Sequence, residues 1–263
     1  MPESANHPRI GAVSYLNTAP LIYGLTERLP EASLSFDHPS RLADQLRAGR
    51  LDVALVPIIE APRHSWRVIS NACIAAWGPV LSVKLLFRRP PGVVRTLAID
   101  EGSRTSAVLA QILLAEIFAL RPQIVLLPLG ATPGDVDADA ILMIGDRAIR
   151  QVSQSYVDVW DLGEAWREHT QLPFVFAAWA TKRDFDATSI EPALEAARDD
   201  GIRNVEAIAS ERAAAMGLPH ELVLAYLRDH LRFTLGVREN RAVMLYFEKA
   251  EALGLLDWVS API

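Results

Sequence analysis

The chain is poor in the features that mark several protein classes. It holds a single cysteine, Cys73, which excludes an internal disulfide and any cysteine-cluster metal site. Its six histidines are scattered, with no His-Glu-x-x-His or paired spacing, so no zinc site is predicted. There is no dense basic stretch. The 26 Lys and Arg face 32 Asp and Glu, for a net charge of −6, which argues against duplex nucleic acid as a partner. The first residues, MPESANHPRIGAV, lack both the basic start and the apolar run of about 7–15 residues of a secretory signal. The longest nearly uncharged apolar stretch, residues 72–83, falls short of the ~18 residues of a membrane helix and contains Gly78 and Pro79. No repeat or low-complexity tract is present. The expectation is a soluble protein of the cytoplasm, with no metal and no membrane or nucleic-acid partner.

What is there is enough for a full core. Apolar residues make up 51% and charged residues 22% of 263, room for one large domain or two modest ones. Residues 10–13, 34–36 and 51–56 read as strands. Between them Pro20 can open one helix, and Ser40 can cap another that stops at Gly49. This alternation predicts a doubly wound sheet. An apolar run, 80–88, leads to Pro90-Pro91-Gly92, punctuation that places a domain crossing there. A second set follows: strands at 97–99, 124–128, 140–144 and 157–161, and a broad-faced helix over 105–120. A strand at 174–180 crosses back, and everything from 189 onward reads as helix, with Gly201, Gly217 and Gly254 at C-caps. The prediction is an α/β protein of two lobes. Residues 1–88 with 182–263 form the first and the inserted residues 93–180 the second. Each is a mostly parallel sheet flanked by helices, joined by two hinge strands, in the plan of a type II periplasmic-binding-protein-like fold.

Such folds bind ligand between the lobes, at the C-terminal ends of strands. Two segments stand at such ends with more polar groups than a helix cap uses. SYLNTAPL offers Ser14, Tyr15, Asn17 and Thr18. EGSRTS offers Ser103, Arg104, Thr105 and Ser106 ahead of a long helix, where free N–H groups and the helix dipole favour an anion. It lacks Walker spacing, and one carboxylate fits it better than a triphosphate. Ser82 in GPVLSV lies beside the crossing, without a G-x-S-x-G elbow. Asp146 in MIGDRA follows a buried strand. Glu60 reads as a solvated loop carboxylate, while Trp160, Trp166, Phe174, Phe176 and Trp179 read as core.

Taken together, GAVSYLNTAPL, DVALVPIIE, GPVLSVKLLF, AIDEGSRTSAVLAQILL, ILMIGDRA and LPFVFAAWA resemble the menaquinone-biosynthesis chorismate dehydratases that open the futalosine route. The resemblance runs from about residue 9 to the C-terminal helices. It implies cytosolic conversion of chorismate to 3-[(1-carboxyvinyl)oxy]benzoate and water, with no cofactor. It makes Asn17 and Ser82 the reacting-centre residues, and Ser103, Thr105 and Ser106 the holders of a carboxylate. Ser14, Tyr15, Thr18, Arg104 and Asp146 complete the expected substrate contacts. Ile58 and Gln171 depart from the family, which often has Ser and Gly there. The catalytic base stays open among the substrate's own carboxylate, Glu60, Asp146 and His169. So do two other functions: a non-catalytic binding protein for a small carboxylate, and the related 1,4-dihydroxy-6-naphthoate synthase. A transcriptional regulator of similar fold would need a basic recognition helix, which the acidic C-terminal helices do not offer.

Overall fold

A computed structural model describes residues 7–150 and 155–256. Its strands are β1 (Arg9–Val13), β2 (Ser33–Asp37), β3 (Val53–Pro57), β4 (Arg67–Ala76), β5 (Val83–Phe87), β6 (Thr96–Asp100), β7 (Gln123–Leu127), β8 (Ala140–Ile144), β9 (Asp158–Asp161), β10 (Phe174–Thr181) and β11 (Leu231–Thr234). Its α-helices are α1 (Leu25–Arg28), α2 (Pro39–Arg47), α3 (Glu60–Arg63), α4 (Thr105–Phe118), α5 (Asp146–Ile149), α6 (Leu162–Thr170), α7 (Ile190–Arg203), α8 (Val205–Met216), α9 (His220–Ala225) and α10 (Val237–Ala252).

Strands β3, β8 and β10 are buried at every position, the mark of central strands covered on both faces. They lie inside two sheets, ordered β11-β4-β10-β3-β1-β2 and β7-β6-β8-β5-β9. Each sheet is mixed rather than mostly parallel. β1 pairs in parallel with β2 and β3, and β6 with β7 and β8. β10 and β5 run antiparallel to both their neighbours. The reason is the route of the chain. β1, β3, β6 and β8 end where the lobes meet, whereas β5 and β10 begin there, just after the chain has changed lobes.

The crossings themselves differ from the expected ones. Residues 77–82 join β4 of one sheet to β5 of the other, and residues 171–173 lead from α6 back to β10. The strand expected before the first crossing thus belongs to the second lobe, and the strand at 174–180 to the first. The boundaries at 88, 93 and 180–182 move accordingly, and connecting turns rather than strands span the lobes. Pro90-Pro91-Gly92 punctuates a short 3-10 turn, Pro91–Val93, inside the second lobe. Of the ranges expected for the lobes, residues 1–6, 151–154 and 257–263 lie outside the described residues.

Three local expectations also change. His38, not Ser40, holds the N-cap position of α2, without a side-chain capping bond, and Pro39 opens the helix with Ser40 buried behind it. The C-terminal part is not all helix: Leu231–Thr234 adds β11 to the edge of the first sheet, against β4. Gly201 lies inside α7 and not at its end. A Cβ there would overlap the Pro20 carbonyl and stand 2.6 Å from Pro20 Cα, so glycine lets α7 close onto the turn after β1.

One apolar core runs through both lobes, with Trp166, Trp179 and Phe174 fully buried in it. Val108, Leu109, Ile112 and Leu113 of α4 sink into that core, and α10 packs across β10 and α4. A smaller cluster, including Leu86, Ala98 and Ile141, sits apart from it in the second lobe.

Candidate functional site

The strand ends meet around a hollow. Val13, Tyr15, Asn17, Pro57, Phe176 and Ala177 line it from one lobe. Val83, Gly102, Ser103, Arg104, Thr105, Ser106, Ile144 and Gly145 line it from the other, and Val80 and Ser82 from the crossing. Mostly apolar walls leave specificity to the few polar groups that reach in.

Asn17 stands in a 3-10 turn, Leu16–Ile22, that leaves β1 through the extended residue Tyr15. The Tyr15 side chain does not cap this turn. The Thr18 hydroxyl donates to Asn17 Oδ1 at 3.4 Å, so the Asn17 carboxamide is oriented by its neighbour while its NH2 group is left for the hollow.

Ser82 is placed by a strained turn. Ser82 N–H donates to Val80 C=O at 2.7 Å, and Leu81 between them sits at φ 60°, a costly conformation for a leucine. Asp161 holds it there. Its carboxylate accepts from Val80 N–H at 2.9 Å and Leu81 N–H at 2.6 Å, while also capping α6 through Gly163 and Glu164 N–H. Burial raises the Asp161 pKa, against the pull of these four donors. Gly145 N–H binds Ser82 C=O at 2.9 Å, which fixes the far end of the turn to the second lobe.

The turn before α4 is built on Asp100, buried and paired with Arg147. Asp100 accepts Gly102 N–H through Oδ1 at 3.0 Å and Ser103 N–H through its carbonyl at 2.8 Å. Arg104 then reaches across to the first lobe, to Glu60 at 2.9 Å and Asp44 at 2.8 Å. Two donors are left over: Ser103 Oγ and Arg104 Nε are buried and have no partner. A buried donor without an acceptor is costly, and both belong to residues lining the hollow. Thr105 is tied down instead, its Oγ1 accepting Ile59 N–H at 3.4 Å and its carbonyl accepting the Tyr246 hydroxyl at 2.9 Å.

Tyr15 closes one side. Its ring lies on Gly145, where a Cβ would meet ring atoms at 2.7 Å, and its hydroxyl is 3.1 Å from His38 Nδ1. Burial, then the charge of Asp100, pushes its phenol well above the ordinary tyrosine range.

Seven of the ten predicted residues therefore share one hollow: Tyr15, Asn17, Ser82, Ser103, Arg104, Thr105 and Ser106. Ser14, Thr18 and Asp146 do not line it. They lie on a second hollow behind Tyr15 and Leu16, beside Arg212 and Met216. Asp146 spends both carboxylate oxygens on Leu16 N–H. Glu60 is not a solvated loop carboxylate: it is 2% exposed and bound by Arg63, Arg104 and His64. His169 is paired with Glu116, outside the hollow. Among the described residues lining the hollow, the titratable ones are Tyr15 and Arg104. Phe176, expected as plain core, forms part of the wall. Its place on the strand that returns from the second lobe was the signal for that. Gly145, marked in sequence by the glycine after a buried strand, is the floor under Tyr15.

A sequence-family model described as menaquinone biosynthesis matches residues 8–252. A chorismate dehydratase of Thermus thermophilus is 29% identical over 275 aligned residues, covering 94% of this chain and 95% of that protein. A 1,4-dihydroxy-6-naphtoate synthase of the same organism is 34% identical over 129 residues, 46% of this chain and 47% of that protein. Among solved structures, the periplasmic aliphatic sulphonate binding protein SsuA from Escherichia coli matches with a TM-score of 0.61 at 18% identity, over 99% of this chain and 94% of that one. That likeness shows a periplasmic-binding-protein-like fold.

Proposed function

The chain belongs to the menaquinone biosynthesis family, and from that membership and the chemistry of the hollow we infer that it is a chorismate dehydratase, a cytoplasmic hydro-lyase that makes 3-[(1-carboxyvinyl)oxy]benzoate and water. The observation that carries this reading is the pair of unpartnered buried donors, Ser103 Oγ and Arg104 Nε, just before α4, on residues that line the same mostly apolar hollow as Asn17. Such donors call for an anionic oxygen, and a ring carboxylate supplies one. Chorismate is a dianion and the protein carries −6, so capture is local and not by long-range steering. Each charge-assisted contact contributes about 1.5–3 kcal/mol.

The reaction removes the C3 proton and the C4 hydroxyl. C3 is conjugated through a ring double bond to the ring carboxylate, so loss of its proton spreads charge into that group. Donors fixed on the carboxylate then bind the transition state more strongly than the ground state, which accelerates the step. No histidine or carboxylate lines the hollow among the described residues, and Tyr15 is held protonated. The base in this reading is the substrate's own enolpyruvyl carboxylate, folded against C3 by the walls. Positioning of this kind contributes several kcal/mol, with about 7–11 as its ceiling. The Ser82 hydroxyl donates to the departing C4 oxygen, and the proton taken from C3 leaves with it as water. Asn17 orients the substrate at the reacting ring. Aromatisation drives the step.

The test is to incubate the protein with chorismate and follow the aromatic product by chromatography and mass. Asn17→Ala and Ser82→Ala are each expected to lower kcat about 100-fold, the usual cost of one transition-state donor, with Tm held within a few degrees. Tight chorismate binding without conversion overturns the dehydratase in favour of a binding protein. Full activity in both variants overturns the residue assignment.

A further inference from the structure

Helix α9 widens into a π-helical turn, Tyr226–His230, before the chain enters β11. Turns of this type are rare and frequently fall at functional sites. Here the turn is fastened to the crossing between the lobes. His230 Nδ1 is 3.0 Å from the Pro79 carbonyl, and Leu231 pairs with Ala76, the last residue of β4. The side chain carried at the head of the turn is Tyr226. It is 0% exposed and does not line the hollow. A buried tyrosine hydroxyl normally finds a partner, but this one has none. Burial pushes its phenol up well above the ordinary range, and the side chains near enough to oppose that rise by hydrogen bonding are Ser82 and Asn17. Neither completes a bond in this structure. Tyr226 is thus a neighbour of two polar residues that line the hollow, Ser82 and Asn17, with its hydroxyl buried and uncommitted.

We propose that Tyr226 is a positioning residue for the dehydration. When substrate occupies the hollow, its hydroxyl bonds Ser82 and Asn17 together and turns the Ser82 O–H towards the departing oxygen. The proposal rests on the chorismate dehydratase reading and adds to it a residue held by a third element, the π-turn.

The experiment is Tyr226→Phe, which removes one oxygen and keeps the ring. A hydroxyl with only a structural role stabilises the fold, so its loss lowers Tm. A hydroxyl left unpaired in the resting protein gives the opposite result, an unchanged or raised Tm. We expect kcat on chorismate to fall 10-fold or more, KM to stay within threefold, and Tm not to drop. An activity-independent measurement is the carbon NMR signal of Tyr226 in protein labelled at the tyrosine ζ-carbon, recorded with product bound. It is expected to shift in Ser82→Ala and in Asn17→Ala. An unchanged kcat in Tyr226→Phe, or a Tyr226 signal unmoved by both alanine variants, overturns the proposal. If the unaltered protein fails to convert chorismate, the dehydratase reading falls. The same NMR comparison, made then with chorismate bound, still decides whether filling the hollow joins Tyr226 to Ser82 and Asn17.

Discussion

Asp146, at the start of α5 in one lobe, accepts the backbone N–H of Leu16 from the other through both carboxylate oxygens, at 3.0 and 3.2 Å. Leu16 opens the turn that carries Asn17. The bond therefore registers Asn17 against the second lobe from behind, and explains why a polar residue at a cleft-facing strand end is absent from the hollow itself.

This bond has a pH signature. Burial raises the Asp146 pKa, against the Leu16 N–H and the charge of Arg150. A carboxylate whose folded pKa lies above its unfolded value of about 3.9 contributes stability that is full below that unfolded value. The contribution is lost as pH rises through the folded pKa. Asp146→Asn keeps an acceptor for Leu16 and cannot ionise. Its Tm is expected to exceed that of the unaltered protein at pH 7.5, with the gap closing as pH falls towards 4. Thermal melts of both proteins across that range decide it, and a gap that widens on acidification sinks the idea.

Glu60 offers a second test, because its position resembles that of a base while its bonding is that of a strut. Its oxygens are shared among Arg63 at 2.8 Å, Arg104 at 2.9 Å and His64 at 3.2 Å. Removing one member of a buried ion-pair cluster costs about 3–5 kcal/mol, because the remaining charges lose their counter-ion. Glu60→Gln is expected to lower stability by about 3 kcal/mol in denaturant melts. Assayed well below its Tm, it is expected to keep kcat within about fivefold. A loss of several orders of magnitude in kcat in a folded variant makes Glu60 the base after all.

The two polar turns were legible in sequence because each follows a short apolar strand and holds more hydroxyl and amide groups than a cap can use. SYLNT and SRTS come together because strands β1 and β6 end on the same cleft. The crossing was not legible. Residues 80–88 read as one extended run, and only Asp161, some 80 residues on, bends it at Leu81. The burial of Glu60 depends on Arg104, 44 residues away, which no local pattern reveals. Tyr226 sits in PHELVLAYLRDHL, which has a helical pattern. There the π-turn and β11 are imposed by pairing with β4, a tertiary effect. Gly201 followed the same logic: a glycine near a run of polar residues reads as a stop, but its use here is contact.

That contact gives the third prediction. Helix α7 is the main cover of the turn Leu16–Ile22, and Gly201 is where the two backbones touch. A methyl group at 201 meets backbone atoms of Pro20, including Cα at 2.6 Å, and no flexible side chain can yield in their place. Pro20 is itself inside the turn, so a push there moves Asn17, three residues earlier, away from Ser82 and the turn at Ser103. Overpacking of this kind costs about 1–3 kcal/mol, and more when the clash is with main chain. The helix interior favours alanine over glycine by only about 1 kcal/mol, which is too little to offset it. Gly201→Ala is therefore expected to lower Tm by several degrees and to reduce kcat on chorismate even though residue 201 lies outside the hollow. Gly217→Ala, where a Cβ would meet nothing within 4 Å but φ is 61°, serves as the comparison. It carries the backbone strain without the clash, so its cost is expected in stability alone. If Gly201→Ala melts at or above the unaltered protein and keeps its activity, then α7 and the turn are not in the close contact described, and the placement of Asn17 does not depend on it.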